Sequence, residues 1–139
     1  EVAELQAIAK QDGIDELKPW DTTYYSEKLK QQQFNLSQEA LKPYFPAPKV
    51  IQGLFQIVQR LYGINIVERE APVWHPDARY FELEDQGEVV GGFFFDLYAR
   101  TGKRGGAWMS GFRSRMQTVH GLQKPICYMV CNFTPPVGN

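Results

Sequence analysis

The chain has 139 residues, of which 43% are hydrophobic and 14% aromatic, so it can form one globular domain and is too apolar to be disordered. All 16 acidic residues lie in residues 1–96, whereas residues 97–139 contain six basic residues and no acidic one. This basic part favours an anionic neighbour: a carboxylate, a phosphate or an acidic part of the same protein. With a pI near 6.2, general nucleic-acid binding is not expected, although aromatic and basic residues in 97–124 leave single-stranded nucleic acid as an alternative.

Membrane and secreted classes are not supported by the sequence. No apolar run approaches the roughly 20 residues of a membrane helix, and the first ten residues lack the pattern of a signal peptide. Cys127 and Cys131 lie four residues apart in an apolar run typical of a strand, a spacing too long for a disulfide. We therefore expect reduced cysteines and a cytoplasmic location.

The first half of the chain has the pattern of helices. The first helix is expected to end at Gly13, and the second to begin after Asp21 and run to about Gln33. Ser37 is a suitable capping residue for a third, short helix that Pro43 ends. These three segments predict a helical beginning of the fold.

The fourth helix has the clearest pattern. It follows Pro48, and Gly63 suits its end. Its apolar residues recur with the 3.6-residue period and are expected to pack against another element; they are Val50, Leu54, Ile57, Val58 and Leu61.

The second half has the pattern of strands. The segments Ile64–Val67, Arg79–Glu84 and Val89–Tyr98 alternate or are rich in β-branched and aromatic residues, and residues 85–87 predict a hairpin turn. Alternation places the side chains of Phe93, Phe95 and Leu97 on one face of the last of these strands. Pro125–Phe133 is nearly all apolar, which is typical of a buried strand, and residues 107–124 give no clear prediction.

These elements predict an α+β fold in which N-terminal helices are followed by a small, mostly antiparallel sheet. We expect residues 1–139 to form a single piece, with a helical part at 1–63 and a β-rich part at 64–139.

The common catalytic motifs are absent from this sequence. A zinc protease helix needs His-Glu-x-x-His, but the chain has two histidines and neither has that neighbourhood. His75 precedes Pro76 and is expected in a turn, and His120 precedes Gly121 in a loop. Ser110 lacks the flanking glycines of a hydrolase nucleophile. No residue is therefore predicted to be catalytic or to bind a metal.

Asp96 interrupts the apolar run of the long strand. A buried carboxylate without a partner is costly, so we expect a structural ion pair with Arg100 or Arg104, or hydrogen bonds to the backbone amides of the glycine loop at 102–106. Exposure at a sheet edge and a catalytic role are the alternatives.

Several ordered phrases resemble the thimet oligopeptidase family of zinc metallopeptidases. They are the segments 19–29, 42–46, 53–55, 74–77 and 95–107, followed by 122–125 and 131–133. The resemblance implies a mainly helical, zincin-type peptidase that hydrolyses short peptides in a deep channel, with zinc held by a His-Glu-x-x-His helix.

In that family the zinc helix follows the segment matching Cys131-Asn132-Phe133. The resemblance therefore implies that residues 1–139 are an internal fragment of a peptidase catalytic domain that ends before this helix, binds no zinc and is inactive alone. Its expected partners are the remainder of the peptidase and short peptides. Neither nucleic acid nor a membrane is expected as a partner.

Peptide binding without sequence preference uses main-chain hydrogen bonds to an exposed strand edge. The expected substrate-binding residues lie on the last strand and are Tyr128, Val130, Asn132 and Phe133. The apolar character of this strand also suits a fully buried central position. A noncatalytic module that binds extended peptides is the alternative function, and exposed apolar surface makes self-association of the chain an expectation.

Overall fold

The computed structural model describes residues 1–35 and 37–136, and for Gln38 the backbone only. The chain divides into two compact units, Glu1–Ile51 and Gln52–Asn139. Each unit is described by itself below.

The first unit is helical. Its helices are α1 (Val2–Gln11), α2 (Thr22–Phe34), α3 (Gln38–Leu41), a 3₁₀ turn (Lys42–Tyr44) and the beginning of α4 (Ala47–Tyr62). Its core forms because α1 presents Leu5, Ile8 and Ala9 on one side, where they are buried together with Tyr25 of α2. All four predicted helices are present.

The ends of the helices follow the predicted capping residues with one difference. The Ser37 hydroxyl accepts a hydrogen bond from the backbone N–H of Ala40 at 3.1 Å, which is the capping role expected for it. Asp21 stands at the start of α2, but its carboxylate accepts from the backbone N–H of Lys18 at 3.0 Å and so holds the preceding turn. Gly63 takes the left-handed conformation (φ +72°) at the end of α4.

The second unit is built on two sheets. The strands are β1 (Asn65–Arg69), β2 (Arg79–Asp85), β3 (Glu88–Tyr98), β4 (Trp108–Arg113), β5 (Met116–Thr118), β6 (Gly121–Gln123) and β7 (Ile126–Phe133). The larger sheet has the order β1-β2-β3-β7-β4, and β5 pairs with β6 in a separate hairpin. Because β3 and β7 are parallel and the other neighbours antiparallel, the prediction of an α+β fold with a mostly antiparallel sheet is confirmed.

The predicted hairpin between β2 and β3 is present. Gln86 and Gly87 both have positive φ, 48° and 86°, which is the signature of the tight turn that suits two twisted antiparallel strands. The stretch 107–124, which gave no clear prediction, contains β4 and the β5–β6 hairpin.

The core of the second unit lies between α4 and one face of the sheet. Phe55 of α4 contacts the rings of Phe81, Phe93 and Phe95 at centroid distances of 5.3, 6.4 and 6.2 Å. The face of β3 predicted by alternation is therefore correct for Phe93 and Phe95. Phe94 and Asp96, which alternate with them, lie on the opposite face.

The prediction that the apolar stripe of α4 packs against another element was wrong for four of its five residues. The residues Val50, Leu54, Ile57 and Leu61 are exposed, because the helix contacts the sheet through Phe55. No helix in the described ranges is long and apolar enough to cross a membrane.

Candidate functional site

Asp96 is the buried charged residue at the centre of the site. It lies near the end of β3 and is only 3% exposed. Arg100, just beyond the strand, donates from its two terminal nitrogens to the two carboxylate oxygens at 2.6 and 2.7 Å. This parallel pair of bonds is the strong, orienting arrangement of arginine with a carboxylate, and it confirms the predicted structural ion pair.

Lys103 is a second cation on the same carboxylate. The chain turns at Gly102, where φ is +78°, and Lys103 reaches Asp96 Oδ1 at 2.9 Å. Its Nζ also donates to the backbone carbonyls of Asp96 and Tyr98 at 2.8 and 2.7 Å. Three acceptors use all three ammonium hydrogens, so Lys103 stabilises the end of β3 and has no donor left for a ligand.

Trp74 completes the environment of Asp96. Its indole N–H donates to Asp96 Oδ2 at 3.0 Å. The hydrogen bonds from Arg100 hold the pKa of the Asp96 carboxyl well below its usual range, against burial, which raises it, and with further lowering by Lys103 and Trp74. Asp96 is therefore ionised and its oxygens are engaged, which suits a structural role better than proton transfer.

A pocket of about 390 Å³ opens beside this ion-pair cluster. Its walls come from β3, β4, β7 and the loops before β2 and after β3. We call it the tryptophan pocket, and its lining residues are Trp74, Asp96, Arg100, Lys103, Trp108, Tyr128 and Val130.

The pocket contains two of the four residues predicted to bind substrate. Tyr128 and Val130 line it. Asn132 instead donates from its side chain to the carbonyls of Arg104 and Gly106 at 2.9 and 2.7 Å and so holds the glycine loop. Phe133 is partly exposed, and its carbonyl accepts from the backbone N–H of Ala99 at 2.9 Å.

The strand that carries these four residues lies inside the sheet. β7 is paired with β3 on one side and β4 on the other, which is the central position that its apolar sequence also suited. Its backbone groups are therefore used within the sheet, and a peptide cannot add to it as a neighbouring strand. Contact of its side chains with substrate stays a prediction.

One edge of the sheet is β4, and the other is β1. Strand β4 pairs with β7 on one side, and no other strand of the described residues pairs with it. All six of its residues are exposed. A strand with unpaired backbone N–H and C=O groups is a template for an added strand.

Next to β4, a second hollow of about 390 Å³ lies along the glycine loop. Its lining residues are Arg104, Gly105, Ala107, Trp108, Met109 and Ser110. Trp108 lines both this glycine-loop hollow and the tryptophan pocket.

The two histidines have the predicted turn roles. His75 Nδ1 accepts from the backbone N–H of Asp77 at 3.2 Å. The backbone N–H of His120 donates to the Thr118 hydroxyl at 3.1 Å in the β5–β6 turn. In the part of the chain that the structure describes, no group of three or more His, Cys, Asp or Glu could hold a metal ion.

Both cysteines are free, as predicted. Burial raises the pKa of the Cys127 thiol, which lowers the reactive thiolate fraction at neutral pH. Cys127 therefore fits a packing role in the central strand.

Sequence reasoning missed Trp74, Lys103 and Trp108 as site residues. Trp74 lies 22 residues from Asp96, and no local pattern links the two. The turn at Gly102 brings Lys103 close to Asp96. Gly102, two residues after Arg100, was therefore the sequence feature that could have indicated this contact.

The comparisons with known proteins agree with the resemblance noted in the sequence. The model of "Peptidase family M3" matches residues 1–139. The chain is 53% identical to Oligopeptidase A of Escherichia coli K12 over 99% of its length and 21% of the relative's.

Two further relatives have other names. Organellar oligopeptidase A of Arabidopsis thaliana is 41% identical over 100% of this chain and 19% of its own length. Dipeptidyl carboxypeptidase of E. coli K12 is 39% identical over 98% of this chain and 20% of its own length. The chain spans about a fifth of the length of the curated relatives it matches. It belongs to peptidase family M3.

Proposed function

We propose that this chain is part of a cytoplasmic zinc metallo-oligopeptidase that hydrolyses short peptides, in which it forms scaffold and peptide-binding surface. The observation that carries the proposal is the 53% identity to Oligopeptidase A over 99% of the chain. The described residues do not supply a zinc site, so we assign the zinc ligands and the general base to residues outside this sequence.

The free edge of β4 supports a role in peptide binding. An extended peptide can pair with the backbone of an edge strand, which gives affinity without demanding a particular side-chain sequence. The opposite edge, β1, is less suitable because charged side chains discourage strand addition: Glu68 pairs with Arg79 across the strands, and Arg69 pairs with Glu82 and Glu84. Trp108–Arg113 contains a single charged residue.

The side chains of β7 complete this proposal. A peptide on β4 would lie one strand away from Tyr128, Val130, Asn132 and Phe133. We propose that Tyr128 and Val130 take part through the tryptophan pocket, whereas Asn132 acts by holding the glycine loop against β7.

The enzymatic proposal is tested by assaying two proteins with a fluorescence-quenched peptide. We expect the 139-residue chain to show no hydrolysis with or without added Zn²⁺, because it lacks the ligands and the base. A longer polypeptide that contains this sequence should cleave the peptide and lose activity after chelation. Hydrolysis by the 139-residue chain that chelation abolishes would refute the assignment of the zinc ligands.

The proposal for β4 is tested by binding to the 139-residue chain. An extended, uncharged peptide is compared with two derivatives, each methylated on one of the two alternating sets of backbone nitrogens. Methylation removes hydrogen-bond donors without changing the side chains. We expect methylation on one set of alternate residues to weaken binding about tenfold or more, and on the other set to have little effect, since alternate groups face the strand. Equal affinity for all three peptides would exclude strand addition.

A noncatalytic module for extended peptides is the second candidate, and the free edge of β4 favours it. It predicts the same response to methylation in the binding assay. It differs in predicting no chelator-sensitive hydrolysis by the longer polypeptide, so the hydrolysis assay separates the two candidates.

A further inference from the structure

The tryptophan pocket has apolar walls and a cationic side chain whose N–H donors are only partly engaged by Asp96. Trp74 and Trp108 both line the pocket and remain 49% and 41% exposed. Trp74 also contacts the Tyr128 ring edge-on at 5.3 Å. Partly exposed indoles around a concave space are typical of sites that receive a flat or apolar group.

The cation in this pocket is Arg100. A guanidinium has five N–H donors, and the bonds to Asp96 use one on each terminal nitrogen, which leaves about three for another acceptor. Lys103 has none left. Arg100 is therefore the charged lining residue with donors left for an anionic ligand.

The charge balance of the lining also favours an anion. Arg100 and Lys103 supply two positive charges and Asp96 one negative charge. The hydrogen bond to Asp96 raises the pKa of Arg100 against burial, which lowers it, and the charges of Asp96 and Asp77 add to the rise, but Asp77 does not line the pocket. A ligand carboxylate would meet a net positive wall within a mostly apolar space, where a charge-assisted hydrogen bond is strongest.

We propose that the tryptophan pocket binds a carboxylate attached to an aromatic or large apolar group, with the carboxylate on Arg100 and the apolar group between Trp74 and Trp108. Such a ligand is presented by a peptide that ends in an aromatic residue, or by an acidic side chain beside one. This site is separate from the backbone pairing proposed for β4, and it does not depend on hydrolysis by the parent protein.

The probe is N-acetyl-phenylalanine, titrated into the 139-residue chain and compared with its neutral amide. Binding is followed by nuclear magnetic resonance shifts of the tryptophan indole N–H signals. We expect the acid to bind about tenfold or more tightly than the amide, the size of one charge-assisted hydrogen bond. The signals of Trp74 and Trp108 should shift, and that of Trp20, in the other compact unit, should not.

Two pairs of variants locate the site. Trp108→Thr removes one wall but keeps a residue suited to a strand, and its control is Met109→Thr, the next residue of β4, which does not line the tryptophan pocket. Arg100→Lys keeps the positive charge but loses the planar five-donor guanidinium, which can hold Asp96 and a ligand carboxylate at the same time, and its control is Arg104→Gln in the glycine-loop hollow. We expect about tenfold weaker binding in each test variant and a change below about twofold in each control.

The result that would overturn the proposal is equal affinity for acid and amide, or a loss of binding in Arg104→Gln with none in Arg100→Lys. Thermal unfolding of each variant identifies a general loss of structure, and Met109→Thr should bind normally in any case. A second pair of probes, N-acetyl-phenylalanyl-glutamate amide and its glutamine equivalent, separates the two sources of carboxylate. Preference for the glutamate probe assigns an acidic side chain, and binding of N-acetyl-phenylalanine alone assigns a C-terminus.

Discussion

Asp96 is a single buried residue whose three partners hold together the end of β3, the following loop and the segment before β2. Arg100, Lys103 and Trp74 all donate to its carboxylate. Removing the negative charge leaves two cations beside a buried neutral group, and breaking a buried ion pair in this way is much more costly than losing a surface pair.

We expect Asp96→Asn to lower the free energy of unfolding by about 3 kcal/mol. The matched control is Glu68→Gln, which removes an exposed ion pair with Arg79 and should cost about 1 kcal/mol or less. Urea unfolding of the three proteins measures both changes. Similar costs for the two variants would show that the Asp96 cluster contributes no more than a surface ion pair.

The same carboxylate makes stability depend on pH. Its pKa is lower in the folded chain than in the unfolded chain, so its contribution is fully present above the unfolded value of about 3.9 and is lost as the pH falls toward the folded value. We expect the difference in unfolding free energy between the natural chain and Asp96→Asn to be constant from pH 7 to about 5 and to shrink below about pH 4. Other acids titrate in both proteins, so their contributions cancel in this difference. A difference that grows on acidification would contradict a lowered pKa of Asp96 in the folded chain.

At this scale the sequence predicts the Asp96–Arg100 pair and leaves out the rest of the cluster. The pair is local, and an acid in an apolar strand requires a nearby cation. Trp74 reaches Asp96 only because β2 and β3 pair and bring the preceding loop over the sheet. A contact created by long-range pairing has no signature in local sequence.

Helix α4 shows how an apolar period can be recognised while its packing face is misjudged. The residues of the predicted stripe are spaced correctly for a helix, yet four of them are exposed. Phe55, outside that stripe, contacts three phenylalanines of β2 and β3. Periodicity identifies an amphipathic helix, but it cannot say which neighbour covers which part of the apolar surface.

We therefore expect Phe55→Ala to cost about 2–4 kcal/mol, because it removes a ring from a packed aromatic cluster. Leu54→Ala, one residue earlier on the exposed side, is the matched control and should cost less than about 1 kcal/mol. Replacement by alanine raises helix propensity more for phenylalanine than for leucine, so propensity opposes the expected difference and cannot cause it. Chemical unfolding gives the two values, and a larger cost for Leu54→Ala would mean that the exposed stripe is covered in solution.

The sheet was predictable where its pairing is local. The β2–β3 hairpin follows from the turn at residues 85–87, whereas the parallel pairing of β3 with β7 joins segments separated by β4, β5 and β6. The placement of β7 between β3 and β4 therefore appears only in the structure. The central position of β7 agrees with its apolar sequence, and the free edge considered for substrate lies at Trp108–Arg113 instead of Tyr128–Phe133.

At the scale of the whole chain, the helix-then-strand order and the family are accessible from sequence. The family resemblance depends on several ordered phrases, and the match over residues 1–139 agrees with it. The division into a helical part at 1–63 and a β-rich part at 64–139 stays a prediction. The two compact units meet within α4, between residues 51 and 52, and Phe55 contacts the sheet of the second unit.

The exposed apolar surface of the chain leads to a prediction about its association. The stripe of Leu54, Ile57 and Leu61 is exposed on α4, and Met109 and Phe112 are exposed on β4. Contiguous apolar surface favours association in water. We expect the 139-residue chain to self-associate, with sedimentation coefficients that rise with concentration in the micromolar range.

Variants of the two surfaces identify which one is responsible. Because a charge on the helix stripe must be desolvated in any apolar contact, Ile57→Lys with Leu61→Lys should shift the chain toward the monomer if α4 forms the contact. Met109→Lys should do so if strands pair at the free edge, since lysine on an edge strand discourages pairing. A chain that stays strictly monomeric at the highest accessible concentration would refute self-association, and the free surfaces would then be fully available to the peptide ligands proposed for β4.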